Sequence, residues 1–577
     1  MDGSDTFPDG ESRRMARTHL MSLVLSALRT ARRAQAAGVP VVEYAAMQQE
    51  RSRFNRRSFL HLTAGAAGAA TLAACGDEGG ASPEDVVIVG GGTAGLHCAY
   101  RLRRLGIDAQ VYEASKRVGG RMFTARNVFP EGQTAELGGE LIDTGHLTLH
   151  DLSEELGIEL LDFEKEDASL SRLVAMFDGN RLTEEQILQG FAPIAERIDA
   201  ALATLEDPEE YITYRTPNGA QALDQLSLRA WMDVADIPAS DPVRKLIELA
   251  YVGEFGLETD VCNSLNLLTF ISTDTTRFEL FGESDERYRS KGGNELFPQR
   301  LAERLGPGQI HLEHRLRAVK SLSDGRYQLT FDAAGRTQEV KADHVVLALP
   351  FSVLRNVDLQ VELPAVKRKA IQELGYGTNA KLMVGFSARP WRDGYMSDGS
   401  TYSDVGYMQT WETSRQQPGT SGIITNFTGG AKGLAVGEGT TDSQVSAFLD
   451  GFDQVFPGVK EVANGSAARM HWPSHEFTRG SYSAYKVGQF TTISGAEIER
   501  VGNLHFCGEH TSLDAQGFME GAALTGAMAA AEVAGDLGLQ VEEALGPGAR
   551  IMARAQSARV HGRWLDAARR ASRRRAG

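Results

Sequence analysis

Gly90-Gly91-Gly92-Thr93-Ala94-Gly95 stands between a short β-branched run, Val86-Val87-Ile88-Val89, and a segment that reads as a helix from Thr93 to about Leu105. This is G-x-G-x-x-G placed where a buried strand turns into a helix, and each glycine has a mechanical task. Gly90 permits the tight turn, Gly92 lets the backbone approach a pyrophosphate, and Gly95 lets the helix pack close to the sheet. The helix N-terminus then offers free amide donors to the phosphates. A second strand near 109–112 ends at Glu113, eighteen residues beyond Gly95, close to the ~20 expected of a carboxylate that accepts from a ribose hydroxyl. A chain built this way is committed to a parallel α/β sheet that holds a dinucleotide.

With 577 residues there is room for at least two lobes with cores of their own. From about Glu164 to Glu286 the apolar pattern turns helical, most clearly over 187–205 and 243–252. Strand-like alternation returns at 310–331, and 344–349 reads as another buried strand. Strands at 382–386 and 422–427 are mixed with helices, and the chain closes with a strand at 504–507 and an Ala-rich helix over 517–537. The expected architecture is a Rossmann-like nucleotide-binding domain from residues 84–163, 287–355 and 479–540, interleaved with an α+β substrate-binding domain from 164–286 and 356–478.

The net charge of -16 argues against a nucleic-acid partner, which needs clustered Lys and Arg, and the two Arg-rich ends make the body between them more acidic still. The four cysteines form no C-x-x-C pair, so neither a zinc site nor a disulfide framework is expected, and no metal. Cys98, Cys262 and Cys507 read as small buried thiols. Cys75 is different. Asn55-Arg56-Arg57-Ser58-Phe59-Leu60, followed by the Ala/Gly-rich stretch from Leu62 to Ala74, looks like a twin-arginine export signal within residues 1–74. Its end, Leu72-Ala73-Ala74-Cys75, resembles a lipobox, so a periplasmic or cell-surface lipoprotein anchored to the membrane through Cys75 is expected. Met47 offers a second plausible start, and the basic tail at 546–577 reads as a solvated end.

Glu113-Ala114-Ser115-Lys116-Arg117-Val118-Gly119-Gly120-Arg121 resembles the extended FAD fingerprint of the amine oxidase superfamily, which includes monoamine, polyamine and L-amino acid oxidases. Three further blocks agree in order. Ala135-Glu136-Leu137-Gly138-Gly139 is similar to the family loop along the flavin. Phe506-Cys507-Gly508-Glu509-His510-Thr511 and Gly517-Phe518-Met519-Glu520-Gly521-Ala522 are similar to its C-terminal FAD segment. The resemblance implies the amine oxidase fold and an FAD site made by Gly90, Gly92, Gly95, Glu113, Gly120, Arg121, Gly138, Gly139, Leu316, Gly508, Glu509, Phe518 and Met519. It implies oxidation of an amine carbon–nitrogen bond to an imine, with oxygen reduced to hydrogen peroxide.

The same resemblance assigns catalytic places. Lys381, at the head of a buried strand, matches the lysine that holds a water against flavin N5. Tyr482 and Phe518 match the two aromatics that sandwich the amine, a setting that suits a cation on arrival and an apolar neutral amine afterwards. Ser481 stands where covalently flavinylated members have Cys, so FAD is expected to be noncovalent. Leu141 stands where L-amino acid oxidases place the Arg that grips a carboxylate, which favours a substrate without one. Glu140 and Asp143 are candidate substrate acids on the same loop. Two alternatives stay open: an L-amino acid oxidase using Arg126 or Arg277 instead, and a non-catalytic flavin-binding lipoprotein.

Overall fold

The structure is a computed structural model, and it describes residues 85–165, 169–208, 210–550 and 553. The export signal, Cys75 and the tail beyond residue 553 lie outside the described residues.

A five-stranded parallel sheet forms the centre of the nucleotide-binding lobe, in the order Leu504–Phe506, His344–Leu347, Val86–Val89, Gln110–Tyr112, Ile310–His311. Every residue of Val86–Val89 and His344–Leu347 is buried, because both faces of the sheet are covered. On one face lie helices Thr93–Arg104 and Met519–Asp536, whose Leu96 and Ala530 share a core with Val111 and Phe297. These two helices approach so closely that a Cβ on Gly526 would meet the carbonyl oxygen of Ala94 at 2.3 Å. The other face packs on a four-stranded sheet made by Arg336–Ala342, Tyr327–Ala333, His314–Ser321 and Asp358–Gln360.

A seven-stranded, mostly antiparallel sheet underlies the second lobe. Its order is Ala463–His471, Ala380–Phe386, Gly422–Thr428, Gln409–Glu412, Thr401–Ser403, Val174–Phe177, Asn180–Leu182. The last two strands come from the stretch expected to be helical. Their short alternating run escaped notice because the long helices Glu184–Leu202 and Pro242–Phe255 dominate the pattern around them. They also bring the two substrate-lobe segments into a single sheet. The expected boundary at residue 356 falls inside the nucleotide lobe, since strand Asp358–Gln360 pairs in parallel with His314–Ser321 and helix Ala365–Glu373 buries Ala370 and Ile371 in the same core.

Strand Ala380–Phe386 positions the chemistry. It lies between Ala463–His471 and Gly422–Thr428 and all seven of its residues are buried, so a lysine in it must be paired inside the protein.

Candidate active site

One cavity of about 650 Å³ runs from the G-x-G-x-x-G turn to the seven-stranded sheet. Of the expected cofactor and catalytic residues all but Gly95 line it. Gly95 serves packing instead: a Cβ there would stand 2.1 Å from the carbonyl oxygen of Gly90. Gly90 takes φ +113°, and its Cβ would meet the Ala348 carbonyl at 2.5 Å. Gly92 is the reverse case, because a Cβ there would meet no protein atom within 4 Å and would project into open space. That is the cradle a pyrophosphate requires. Glu113 accepts from the Gly91 amide and the Ser115 amide, both at 2.7 Å, which fixes its carboxylate at the mouth of the turn with lone pairs to spare.

Arg121 and Glu509, read separately from sequence, are partners. Arg121 Nη1 donates to Glu509 Oε1 at 2.7 Å and to the Ser481 carbonyl at 2.8 Å. Glu509 Oε2 accepts from the Ser483 hydroxyl at 2.7 Å and from the Gly517 amide at 2.9 Å. Burial pushes this carboxyl up, but Arg121, His510 and the Ser483 hydrogen bond outweigh it and hold the pKa below the usual carboxylate range. Glu509 thus joins the fingerprint loop, the 481–483 segment and the turn into helix Met519–Asp536. Gly138 and Gly139 lie under that helix: a Cβ on Gly138 would meet the Arg121 carbonyl at 1.7 Å, and one on Gly139 would meet Met519 Cγ at 2.6 Å.

At the other end, Lys381 lines the cavity and is paired there. Its Nζ donates to Glu140 Oε2 at 2.9 Å, to the Gly138 carbonyl at 2.9 Å and to the Glu136 carbonyl at 3.2 Å. These three protein acceptors match the ammonium's three donors. Lys381 thereby clamps the 136–140 loop, with its ammonium 5.2 Å from the Trp411 ring centre. Glu140 is its partner. Its Oε2 holds Lys381, its Oε1 accepts from the Thr413 hydroxyl at 2.8 Å, and Arg289 lies 3.7 Å away. Burial alone would raise this carboxyl, but Lys381 and Arg289 outweigh it and lower the pKa. It is a counter-ion, not a free acid for substrate.

Asp143 does face the cavity, with His146 Nε2 3.3 Å from its Oδ2 and the Glu286 amide donating to its Oδ1 at 2.8 Å. Two more acids that the sequence reading missed face the same space. Tyr482 donates its hydroxyl to the Glu254 carbonyl, which ties the end of helix Pro242–Phe255 to the cavity. Glu286 takes φ +46°, a left-handed conformation uncommon outside glycine, and is an exposed residue on the cavity wall. Burial first, then like charge, pushes Glu254 up to about 8 and Glu286 up to about 7. No local motif marks either residue. Trp411 and Phe427 were also missed; only the register that sets Lys381 opposite Phe427 brings them in.

Phe518 lines the cavity edge-on to His146, with ring centres 5.4 Å apart, and a Cβ on the neighbouring Gly517 would lie 3.5 Å from the Tyr482 ring. Leu316 lines the cofactor end from strand His314–Ser321. Arg126 and Arg277, the candidate carboxylate ligands, do not line the cavity: Arg126 is held by the Gly292 carbonyl and Glu295, and Arg277 by Glu279.

A family model described as flavin containing amine oxidoreductase matches residues 93–534. The chain belongs to the flavin-containing amine oxidoreductase family. It is therefore an FAD-dependent oxidoreductase that acts on amines. The cofactor is held noncovalently, with the Ser481 hydroxyl donating to Asn379 Oδ1 at 2.6 Å where a covalent attachment would need sulfur. Curated relatives include a probable flavin-containing monoamine oxidase A of Dictyostelium discoideum, 23% identical over 459 residues, covering 78% of this chain and 97% of that protein. An L-amino acid dehydrogenase of Synechocystis sp. is 25% identical over 476 residues, covering 78% and 95%. Among solved structures, putrescine oxidase bound to putrescine has a TM-score of 0.66 at 22% identity, covering 78% of this chain and 99% of that one. Cyclohexylamine oxidase from Brevibacterium oxydans has a TM-score of 0.67 at 21% identity, covering 79% and 99%. These two share the amine oxidoreductase fold.

Proposed function

We propose that this amine oxidoreductase acts as an oxidase of amines that carry no carboxylate, with oxygen as acceptor. The observation that carries the reading is the substrate wall of the cavity, where Asp143, Glu254 and Glu286 present acids and Leu141 stands without a cationic group. An α-carboxylate placed there would face negative or apolar surface, whereas an ammonium would be drawn in.

FAD, when bound, supplies the two-electron acceptor for the carbon–nitrogen bond. The chain supplies the rest. Tyr482 and Phe518 give the amine apolar faces that also attract a cation. Glu254 and Glu286, raised to about 8 and about 7, are in their ionised forms the groups placed to receive the ammonium's proton, since a base works best with its pKa close to the operating pH. Lys381 and Glu140 hold the 136–140 loop in place along the cavity. The proposed location, supported by the Arg56-Arg57 segment and Leu72 to Cys75, is outside the cytoplasm, with the protein anchored to a membrane through lipidated Cys75.

A peroxide-release screen of the purified holoenzyme against monoamines, diamines, polyamines and L-amino acids tests the reading. Peroxide is expected with amines and not with amino acids. Turnover of an L-amino acid would overturn the substrate assignment, and anaerobic bleaching by an amine without aerobic peroxide would overturn the acceptor.

A further inference from the structure

At the end of the five-stranded sheet away from the glycine turn, three side chains from distant parts of the chain converge. His344 starts strand His344–Leu347 opposite Val86, whereas Gly90 follows the other end of that strand's partner. His505 lies in strand Leu504–Phe506, and Asp536 is the last residue of helix Met519–Asp536. That helix has its first residue, Met519, on the cavity, so its length sets Asp536 roughly 25 Å from the flavin site.

The ligand atoms are arranged as a compact triangle. His344 Nδ1 lies 3.4 Å from His505 Nε2. Asp536 Oδ2 lies 3.8 Å from the first and 3.9 Å from the second. A tetrahedral zinc ion with bonds of about 2.0–2.1 Å separates its ligand atoms by about 3.3 Å. The imidazole pair already has that separation, and Asp536 needs a shift of only about half an ångström, which a rim carboxylate makes easily. Its side chain is 26% exposed, while His344 and His505 are 1% and 0% exposed. The site is therefore anchored by two buried imidazoles and open to solvent at the carboxylate, where an ion could enter and a water could complete the shell.

The surroundings suit an ion as well. His505 Nδ1 lies 2.7 Å from Glu532 Oε2. That contact keeps the proton on Nδ1 and leaves the Nε2 lone pair for the triangle, the carboxylate–histidine arrangement that orients and strengthens a metal-bound imidazole. Arg500 Nη1 donates to Asp536 Oδ1 at 3.0 Å and lies 2.8 Å from Oδ2, so the ion would take Oδ2 from this exposed ion pair and leave Arg500 on Oδ1. Imidazole and carboxylate together match zinc among the common divalent ions.

We propose that His344, His505 and Asp536 bind one zinc ion, which clamps two strands of the nucleotide-binding sheet to the helix whose other end meets the cofactor. The site has no part in amine oxidation. A zinc ion here runs against the expectation of no metal, which rests on cysteine spacing; these ligands are 161 and 31 residues apart in the sequence.

The test uses the FAD-loaded protein, stripped with a chelator, incubated with zinc chloride and passed through gel filtration. Elemental analysis should find one zinc per chain, zinc should raise the thermal midpoint, and zinc-edge X-ray absorption should show nitrogen and oxygen ligands without sulfur. Asp536→Asn and His344→Asn should each weaken zinc binding by at least about tenfold while FAD content stays the same. No retained zinc in the wild type would overturn the proposal. So would equal retention by both variants, which would put the ion on the acidic surface. Should either variant fail to fold, wild-type stoichiometry and the ligand spectrum decide alone.

Discussion

The two ends of the cavity are built by opposite means. The cofactor end is made largely of main chain: Gly90, Gly92, Gly138 and Gly139 are there because a side chain would strike a carbonyl, strike Met519 or fill the space the ligand needs. The substrate end is made of side chains delivered from far apart, Glu254 from a helix end, Glu286 from a turn, Lys381 and Trp411 from strands and Phe518 from a helix start. Where recognition rests on backbone, its requirements are written as contiguous glycines. Where it rests on convergent side chains, the requirements are spread over the whole fold.

The largest effects should come from breaking the backbone end. Gly95→Val sets a side chain against the Gly90 carbonyl, 2.1 Å from the position of its Cβ, and should yield protein without FAD, read as loss of visible flavin absorbance per chain. Gly92→Ala sharpens the comparison, because its methyl meets no protein atom. Its thermal midpoint without added FAD should match the wild type while FAD affinity falls. Stoichiometric FAD in Gly95→Val would mean that the turn does not hold the cofactor as described.

The contrast also explains what could be read in advance. The β-α-β unit was legible from glycine spacing and from Val86–Val89, and the order of the FAD blocks followed because each block is local. Strands Val174–Phe177 and Asn180–Leu182 were not, since their role depends on pairing with Thr401–Ser403 more than two hundred residues away. Lys381 was found, but its partner was not. A sequence can mark a lysine in a buried strand without disclosing that Glu140 is its counter-ion, because the pair meets only after the nucleotide-lobe loop crosses onto the seven-stranded sheet. Glu254 and Glu286 carry no motif, and their acidity is set by burial that only the folded chain creates.

The Lys381–Glu140 pair gives the next largest effect, on stability. Both residues are 5% exposed. Removing one partner leaves a buried charge uncompensated, which costs about 3–5 kcal/mol. Lys381→Met should fall at the lower end of that range, since Arg289 still lies 3.7 Å from Glu140. Glu140→Gln leaves the ammonium with neutral acceptors and no counter-charge, and the double variant Lys381→Met/Glu140→Gln should recover much of either loss. Urea unfolding of the four proteins measures the coupling. Additive losses would show that the two groups do not depend on each other.

The smallest effect concerns charge at the substrate end, and its sign is set by the two raised carboxyls. Glu286 at about 7 and Glu254 at about 8 keep protons that an unfolded chain would already have released. The folded state therefore binds more protons between the ordinary carboxylate range and pH 8. The contribution of these two carboxyls to stability should decline as pH rises across that window and level off above it, which the difference between wild type and the Glu254→Gln and Glu286→Gln variants measures. Cation binding should run the other way, because both groups gain their negative charge as pH passes through about 7 to 8. A substrate amine titrates too, which would blur the profile, so the cleaner probe is a quaternary ammonium inhibitor whose charge is fixed. Its Ki should improve by roughly tenfold across that interval, the scale of a hydrogen bond or contact to a charged group. Glu254→Gln and Glu286→Gln should each flatten part of the profile, and the first should remove the upper step. A wild-type Ki that does not change with pH would mean that neither carboxyl meets the cation, leaving the aromatic faces of Tyr482 and Phe518 as the whole of the recognition and the backbone end of the cavity as the only one that charge or shape has specialised.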